Sequence, residues 1–234
     1  MNIGIIGAGM IGGTLARRLS RIGHQIAIAN SRGPETLRGL ASEVGAAAVT
    51  ALEAAHSGEV VVITIPERAV PKLPRDLFAG VPADFVVIDT GNYYPTRDGR
   101  IPAIEQGQPE SAWVAEQIGR PVIKAFNNIY FKSLLENGRP KGTSDRIALP
   151  VAGDPVEARA KVMRLVDELG FDPVDAGGIE ESWRQQPGTP CYTRDHKAAQ
   201  LKAALASAER SRVAEYRKAA DDAAKAFFPP EPGR

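Results

Sequence analysis

The sequence has little of several features that define common classes of protein. One cysteine, Cys191, among 234 residues excludes an internal disulfide framework and a zinc site built from cysteines. Three histidines, His24, His56 and His196, are too scattered along the chain to suggest a metal cluster, and we expect no metal. No apolar run approaches the roughly 20 residues of a transmembrane helix, so we expect no membrane span.

Net charge is also scarce. Lys and Arg number 29 against 28 for Asp and Glu, which leaves a formal charge of +1. A charge this small supplies no long-range field to recruit nucleic acid or an anionic membrane, and we expect neither as a partner. The first residues lack the basic region and long apolar stretch of a signal peptide, which predicts a cytoplasmic protein.

What the sequence does have is a regular alternation of apolar runs and helical periodicity. Strands are predicted at residues 3–6, 25–29, 47–49, 60–65, 85–89, 121–126 and 147–152, and helices at 12–22, 34–44 and 51–56. Continuous apolar strands with intervening helices are typical of a parallel sheet covered on both faces. The sequence therefore predicts an α/β protein with a Rossmann-type, doubly wound, mostly parallel sheet over residues 1–180. A loop and a C-terminal helical extension of the same domain are predicted for residues 181–234.

Two segments without clear periodicity, 91–110 and 182–194, are predicted to be long loops, which are often functional. From Asp195 the chain becomes helical, with a slip in the apolar spacing near Ser211. The apolar stripe from Asp195 to Phe228 is too long to be covered easily by one subunit, so we predict a homodimer through the C-terminal helix. The alternative is a monomer whose tail lies across its own sheet. Residues 229–234 are expected to be a frayed end.

A G-x-G-x-x-G string lies between the first predicted strand and the first predicted helix. A strand–turn–helix context of about 30 residues makes this otherwise weak string a dinucleotide-binding signal. Gly7 forms the tight turn, Gly9 leaves room for a pyrophosphate, and Gly12 lets the helix approach the sheet. The backbone N–H groups of Met10 and Ile11 would face the anion. The turn predicts dinucleotide binding by Gly7, Ala8, Gly9, Met10, Ile11 and Gly12; the alternative is a glycine-rich turn without a ligand.

The residues after the second predicted strand indicate which dinucleotide binds. NAD sites usually have an acid here that bonds the ribose 2′-hydroxyl, but this sequence has Asn30, Ser31 and Arg32. Ser31 can donate a hydrogen bond to a 2′-phosphate, and Arg32 can pair with it and stack on adenine. Because a carboxylate would repel a phosphate, its absence weighs most. The sequence predicts NADP(H), with a solvated loop arginine as the alternative for Arg32.

Three further segments follow strands at the carboxyl edge of the predicted sheet, where ligands of such sheets lie. They could line the ribose and nicotinamide with hydroxyl, amide and backbone groups. The residues are Thr64, Ile65 and Pro66, then Thr90, Gly91 and Asn92, and finally Phe126 and Asn127. For Asn127 a turn-capping role is the alternative, and for Lys124 we expect a structural role or a charge at the rim.

Together these residues resemble the F420-dependent NADP oxidoreductase family. The resemblance extends from Met1 to about Ala176. It rests on the glycine-rich turn, Asn30-Ser31-Arg32, Thr64-Ile65-Pro66 and Lys124-Ala125-Phe126-Asn127-Asn128. The same dinucleotide-binding module is found in the reductase domain of the STEAP metalloreductases. The resemblance implies NADPH binding and hydride exchange with a flavin or deazaflavin stacked near the nicotinamide.

The second predicted loop lies outside this resemblance. Its residues Trp183, Arg184 and Tyr192 could cover an acceptor ring, or the loop could pack the C-terminal helix. Cys191 is a lone thiol without a visible paired base. No catalytic residue is predicted, because hydride transfer between two rings needs orientation and exclusion of water more than an acid or base.

The sequence thus predicts an NADPH-dependent oxidoreductase that exchanges hydride with an F420-type or flavin-type acceptor. One alternative is a reductase of a small carbonyl or imine, which needs an acid donor near the nicotinamide that the sequence does not reveal. The other alternative is an NADPH-binding redox sensor without turnover.

We predict that NADPH binds more tightly than NADH. A charge-assisted pair between Arg32 and the 2′-phosphate contributes about 1.5–3 kcal/mol, or about 10- to 150-fold in the dissociation constant. Calorimetry measures both constants, and Arg32→Ala should reduce the preference for NADPH. Equal constants in the unmodified protein would falsify the assignment.

Overall fold

The computed structural model describes residues 1–227, which are built around one sheet of eight strands. The strands are β1 (Asn2–Ile6), β2 (Gln25–Ala29), β3 (Ala47–Ala48), β4 (Val60–Ile63), β5 (Val86–Asp89), β6 (Ile123–Lys124), β7 (Ala148–Gly153) and β8 (Asp172–Asp175). Their spatial order is β3-β2-β1-β4-β5-β6-β7-β8, and every neighbouring pair is parallel except β6 with β7. This arrangement confirms the predicted mostly parallel Rossmann-type sheet.

Helices connect and flank these strands. They are α1 (Met10–Arg21), α2 (Arg38–Val44), α3 (Ala51–Ala55), α4 (Pro95–Asp98), α5 (Pro102–Glu105), α6 (Glu110–Ile118), α7 (Phe131–Glu136), α8 (Val156–Glu168), α9 (Ala198–Ala206) and α10 (Val213–Ala224). Short 3₁₀ helices occupy Pro34–Leu37, Glu67–Lys72, Ile179–Gln185 and Arg210–Arg212. Within residues 1–227, no helix combines the length and the apolar character needed to cross a membrane.

Both faces of the sheet are buried, as the run of apolar residues in β4 predicts. Val60 and Val62 join the core cluster that contains residues of α1 and α8. Val61 and Ile63 point the other way and join the cluster that contains residues of α3 and α6. Because successive side chains of a strand point to opposite faces, a strand apolar at every position needs helices on both sides.

Residues 91–110 are more ordered than the predicted loop. They contain α4 and α5 and the first residue of α6. Pro109 precedes α6, and Gly119 ends it with a φ of 67°. Proline before a helix and a left-handed glycine after it are usual helix boundaries. The sequence therefore contained the boundary signals of α6.

The edge strand β8 was not predicted. Pro173 and two aspartates disfavour a strand in the sequence. In the structure β8 pairs only with β7 among the described strands, and proline is tolerated on such an edge. Tertiary pairing with β7 therefore overrides a weak local preference.

The predicted C-terminal extension consists of two helices rather than one. Residues 207–212 separate α9 from α10, close to the predicted slip near Ser211. Leu201 and Leu205 of α9 pack against Ala148 and Val174 of β7 and β8. The first half of the extension therefore covers the chain's own sheet.

The second half also contacts its own subunit. The backbone N–H and hydroxyl of Thr96 donate to the Asp221 carboxylate at 2.9 and 2.7 Å. Arg217 donates to the carbonyl of Ile104 at 3.0 Å. These contacts favour the monomer alternative, while the homodimer stays a prediction that light scattering of the full chain would test. The predicted apolar position Phe228 and the end at 229–234 lie outside the described residues.

A buried lysine joins β5, β6 and α6. Lys124 is fully buried, which favours the expected structural role over a charge at the rim. Its ammonium lies 3.9 Å from the Asp89 carboxylate and 3.7 Å from that of Glu110. It donates to the Gly91 carbonyl at 3.0 Å and to the Ser111 hydroxyl at 3.1 Å, and Ser111 donates to Asp89 at 2.6 Å. Three elements thus meet on one positive charge.

This cluster predicts a pH-dependent stability. Burial raises the pKa of the Glu110 carboxyl from its usual value of 4.5 to about 7, and the charge of Lys124 opposes this shift. Between those two values the folded state binds more protons than the unfolded state, so the free energy of unfolding falls as pH rises. We expect Glu110 to contribute a fall of about 1–3 kcal/mol between pH 5 and pH 7.5.

Denaturant unfolding at the two pH values measures this change. Glu110→Gln should flatten the decline, because an amide does not ionise. Glu116→Gln, on an exposed position of the same helix, is the matched control and should leave the decline intact. A decline that is equally steep in Glu110→Gln contradicts the prediction.

Candidate functional site

The glycine-rich turn joins β1 to α1 at the carboxyl edge of the sheet. Gly9 is the N-cap of α1, and the first turn of that helix carries no acidic residue. The exposed N–H groups at such a helix start attract an anion. Gly7 has a φ of 113°, a left-handed value that favours glycine. The local sequence therefore builds an anion-binding end where the motif predicts one.

The three motif glycines occupy different surroundings. A Cβ on Gly12 would lie 2.0 Å from the Gly7 carbonyl oxygen, and one on Gly7 would lie 2.2 Å from that of Thr64. A Cβ on Gly9 would meet nothing within 4 Å. Gly7 and Gly12 are therefore required for packing, whereas the space above Gly9 is open for a ligand. The turn fits a dinucleotide pyrophosphate.

One cavity, of about 620 Å³, extends from the turn towards the end of β2. Asn30, Ser31 and Arg32 line it, as the sequence predicts for the adenosine end. The Asn30 side chain accepts from the Arg32 backbone N–H at 2.9 Å, which shapes this loop. Among residues 1–227 the Arg32 side chain forms no ion pair, so its charge can meet an anion.

Lys72 also lines this cavity, and sequence reasoning missed it. It ends the 3₁₀ helix Glu67–Lys72, which folds back towards the loop after β2. Nothing in its local sequence separates it from other exposed lysines. Its position adds a second positive charge, besides Arg32, to the lining of this cavity.

A second cavity, of about 270 Å³, continues along the carboxyl edge. It brings together most of the residues predicted for the ribose and nicotinamide. Those that line it are Gly9, Met10, Ile11, Thr64, Ile65, Pro66, Thr90, Gly91, Asn92 and Asn127. Phe126 does not line it; its side chain is buried in the core, and its backbone has a φ of 61°.

Asn127 serves chiefly to hold the chain together. Its amide group donates to the side-chain oxygen of Asn92 at 3.0 Å and to the backbone carbonyl of Gln185 at 2.7 Å. Its own side-chain oxygen accepts from Gln185 at 3.0 Å. These bonds join distant segments rather than cap a turn, so they differ from the turn-capping alternative, and they fasten the C-terminal segment to the edge of the site.

Trp183 and Arg184 lie outside this cavity. Trp183 is buried, with the guanidinium groups of Arg184 and Arg210 at 4.5 and 5.2 Å from its ring centre. Arg184 donates to the carbonyls of Leu205 and Ala208 at the end of α9. These contacts favour the alternative in which this part of the loop packs the C-terminal helix.

The same segment contains the one cysteine. Cys191 is buried, and its thiol donates to the carbonyl of Arg184 at 3.3 Å. Burial raises the pKa of this thiol to about 11. The thiolate, which is the reactive form, is therefore suppressed at neutral pH.

Tyr192 does line the second cavity, together with Tyr94, Tyr130 and Thr193. The hydroxyls of Tyr94 and Tyr192 are hydrogen-bonded to each other. The sequence does not predict a site role for Tyr94, because Tyr94 lies in the predicted loop 91–110 and its partner Tyr192 is 98 residues away along the chain. A third cavity, of about 890 Å³, shares these four residues and runs on between residues 188–195 and α10.

Arg97 stands behind the tyrosine pair. Its guanidinium lies 5.3 Å from the centre of the Tyr94 ring. It forms ion pairs of 2.8 Å with the buried carboxylates of Glu67 and Asp98. Burial raises the pKa of Glu67 well above its usual range, and the charge of Arg97 opposes this. The inner end of the site is therefore a buried polar network.

Comparison with known proteins supports the assignment of the first 93 residues to dinucleotide binding. The family model described as NADP oxidoreductase, coenzyme F420-dependent, matches residues 2–93, which confirms the predicted resemblance over that segment. The protein YjhV of Escherichia coli (strain K12) is 47% identical over 91 residues. That alignment covers 39% of this chain and 59% of YjhV, so the chain spans less than two thirds of this curated relative.

Solved structures extend the likeness to the fold. Protein SMa0349 of Sinorhizobium meliloti has a TM-score of 0.71 and 28% identity over 84% of this chain and 95% of its own. An Arthrobacter sp. FB24 protein, described provisionally as an F420-dependent NADP reductase, has a TM-score of 0.62 and 22% identity. The second match covers 76% of this chain and 86% of that one, and it concerns the fold alone. Together with the open turn, the family match supports NADP(H) binding.

Gly9→Val should abolish dinucleotide binding while the protein stays folded. The new side chain would fill the open space above the turn, and the φ of −76° at Gly9 suits any residue. We expect the NADPH dissociation constant to rise at least about 100-fold, or roughly 2.7 kcal/mol. Calorimetry and circular dichroism measure the two effects.

Gly12→Ala is the contrasting variant. Its Cβ would lie 2.0 Å from the Gly7 carbonyl oxygen, so this change should lower the melting temperature as well as binding. Undiminished NADPH binding by folded Gly9→Val would remove the turn from the site.

Proposed function

We propose that the protein is an NADPH-dependent oxidoreductase that passes hydride to an F420-type or flavin-type acceptor. The observation that carries the proposal is the continuity of three cavities along one edge of the sheet. The first two share Gly9, Thr64, Ile65 and Pro66, and the second and third share three tyrosines and Thr193. Two ligands placed end to end would meet in the second cavity, which is the middle one of the three.

The first two cavities account for the donor. Backbone groups of the glycine-rich turn would hold the pyrophosphate, and Ser31, Arg32 and Lys72 would hold the 2′-phosphate. NADPH bound in this orientation supplies a hydride at the nicotinamide. Thr64 and Thr90, which line the middle cavity, offer hydroxyls to the ribose and the carboxamide.

The third cavity accounts for the acceptor. Its volume of about 890 Å³ lies within the range of small-molecule sites, about 300–1,000 Å³. Aromatic faces at its inner end can stack on a planar ring. The name of the family whose model matches residues 2–93 includes coenzyme F420, which supports a deazaflavin in this place.

The walls around the middle cavity would orient the two rings and exclude water. Tyr94 is buried at the inner wall, and Tyr130 with Phe131 stands at the open side. Hydride transfer is efficient when the reacting atoms are held close and in line. The chain's main task in this proposal is therefore placement.

The tyrosine pair favours a second candidate function, the reduction of a small carbonyl or imine. Such a reaction needs an acid near the nicotinamide, and the sequence alone does not reveal one. The hydroxyls of Tyr94 and Tyr192 meet where the second and third cavities join. A non-catalytic NADPH sensor remains the third alternative.

Anaerobic oxidation of NADPH against a panel of F420, FMN, FAD, small aldehydes, ketones and imines separates these functions. Turnover with F420 or a flavin supports the first proposal, and turnover with a carbonyl or imine alone supports the second. Tight NADPH binding without oxidation by any member would contradict both and favour the sensor. Gly9→Val is the control for turnover that does not depend on the site.

A variant that fills the third cavity tests where the acceptor binds. Ala223 of α10 lines this cavity. Ala223→Phe should raise the Michaelis constant for the acceptor at least about tenfold, with the NADPH dissociation constant unchanged. Ala206→Phe, at an exposed position of α9 away from the three cavities, is the matched control. Equal acceptor constants in both variants would place the acceptor elsewhere.

A further inference from the structure

Two tyrosines far apart in the chain are brought into contact at the centre of the site. Tyr94 follows β5 and precedes α4, whereas Tyr192 lies between the 3₁₀ helix Ile179–Gln185 and α9. Their hydroxyls share a hydrogen bond. Both side chains line the middle cavity and the third cavity, so the pair stands where donor and acceptor would meet.

The backbone holds Tyr192 firmly in this position. The next residue, Thr193, has a φ of 50°, a left-handed conformation that is uncommon outside glycine. Its N–H donates to the carbonyl of Asn128 at 2.8 Å. Strained backbone conformations persist where the surrounding structure fixes them, and they cluster at functional sites.

We propose that the Tyr192 hydroxyl donates a proton to the acceptor during its reduction, and that Tyr94 passes its own proton to Tyr192 in the same step. This inference rests on the reductase function proposed above. The atom that takes the proton is a carbonyl oxygen, an imine nitrogen or the corresponding ring nitrogen of a flavin-type acceptor. Tyr192 is thus assigned as a catalytic residue, and Tyr94 as the residue that acts through it.

The step balances as a two-electron reduction. With a carbonyl, an imine or a deazaflavin, the hydride forms a new C–H bond at the acceptor carbon; with a flavin it forms a new N–H bond at the electrophilic ring nitrogen. The π electron pair moves to the heteroatom that will be protonated, which is the carbonyl oxygen, the imine nitrogen or, through the conjugated ring, a second ring nitrogen. The Tyr192 O–H bond breaks as that heteroatom takes the proton. Tyr192 regains a proton from Tyr94, which regains one from water in the adjoining cavity. Each turnover therefore oxidises one NADPH and consumes one proton from solvent.

The surroundings keep the pair protonated until it is needed. Burial raises the pKa of the Tyr192 hydroxyl well above its usual value and raises the pKa of Tyr94, although the bond from Tyr192 opposes the second shift. Both groups therefore carry their protons at neutral pH. The Arg97 guanidinium lies 5.3 Å from the centre of the Tyr94 ring, and its charge favours the negative charge that forms on the pair after donation.

Other charged groups near the pair act in the opposite sense. The carboxylates of Glu67 and Asp98 pair with Arg97, and Glu110 adds a further negative field at both tyrosines. These groups oppose a lasting tyrosinate. They therefore favour rapid return of a proton to Tyr192.

Three single substitutions test the assignment. In Tyr192→Phe the ring is kept and the proton is lost, so we expect kcat to fall about 100-fold, the range of a general acid. The NADPH dissociation constant, measured by fluorescence without acceptor, should stay within twofold of the unmodified protein. Tyr216→Phe is the matched control: Tyr216 lies on α10 and lines none of the three cavities, so kcat of this variant should stay within twofold.

Tyr94→Phe is tested by a proton inventory, in which kcat is measured in mixtures of H₂O and D₂O. The unmodified protein should give a curved plot, because two protons move in the same transition state, and Tyr94→Phe should give a straight line. A merely structural role of Tyr94 would leave the curvature unchanged, and that result would overturn the relay.

The outcomes for Tyr192 separate this inference from the function on which it rests. If no acceptor in the panel oxidises NADPH, the proposed function itself fails. If the unmodified protein turns over and folded Tyr192→Phe keeps kcat within threefold, the function stands and the proton donor is wrong. Parallel loss of NADPH affinity and kcat in Tyr192→Phe also overturns the assignment, because it makes the hydroxyl part of the dinucleotide site.

Discussion

The buried ammonium of Lys124 is the interaction on which the geometry of the site depends. Removing one charge from such a cluster usually costs about 3–5 kcal/mol, because its partners stay buried without compensation. Here the charge fixes the ends of β5 and β6 and the start of α6 at one point. The Gly91 carbonyl that it holds belongs to the segment lining the middle cavity. This edge of the site can be rigid because the charged groups beneath it are buried and paired.

A second set of contacts joins the two ends of the chain across the site. Gln185 bonds with Asn127, and Thr193 bonds with the carbonyl of Asn128. These bonds carry the segment with Tyr192 to the edge formed by the first 130 residues. Residues that contact the proposed donor therefore come mainly from one half of the chain, and the wall facing the acceptor comes partly from the other.

The sequence reveals those parts of the site that local chemistry determines. The spacing of Gly7, Gly9 and Gly12 predicts the turn because Gly7 and Gly12 allow close contacts with nearby backbone, while Gly9 leaves the start of α1 open to a ligand. The missing acid after β2 is likewise local. Lys72 and the pair of Tyr94 with Tyr192 could not be predicted, since only the folded chain brings them to the cavities. For the same reason β8 was missed, because Pro173 hides a strand that pairing with β7 creates.

The reversal of direction between β6 and β7 has a consequence for how the protein can change over evolutionary time. Since β7 and β8 run opposite to β6, the chain leaves β8 at the end of the sheet opposite to the cavities. The 3₁₀ helix Ile179–Gln185 then crosses back along β6 and delivers residues 186–194 to the cavities. In the proposed function, donor recognition is encoded mainly before residue 93, and much of the acceptor wall after residue 185. If that function holds, substitutions in the later segment would alter the oxidant that the protein accepts, while the earlier segment would preserve its source of electrons.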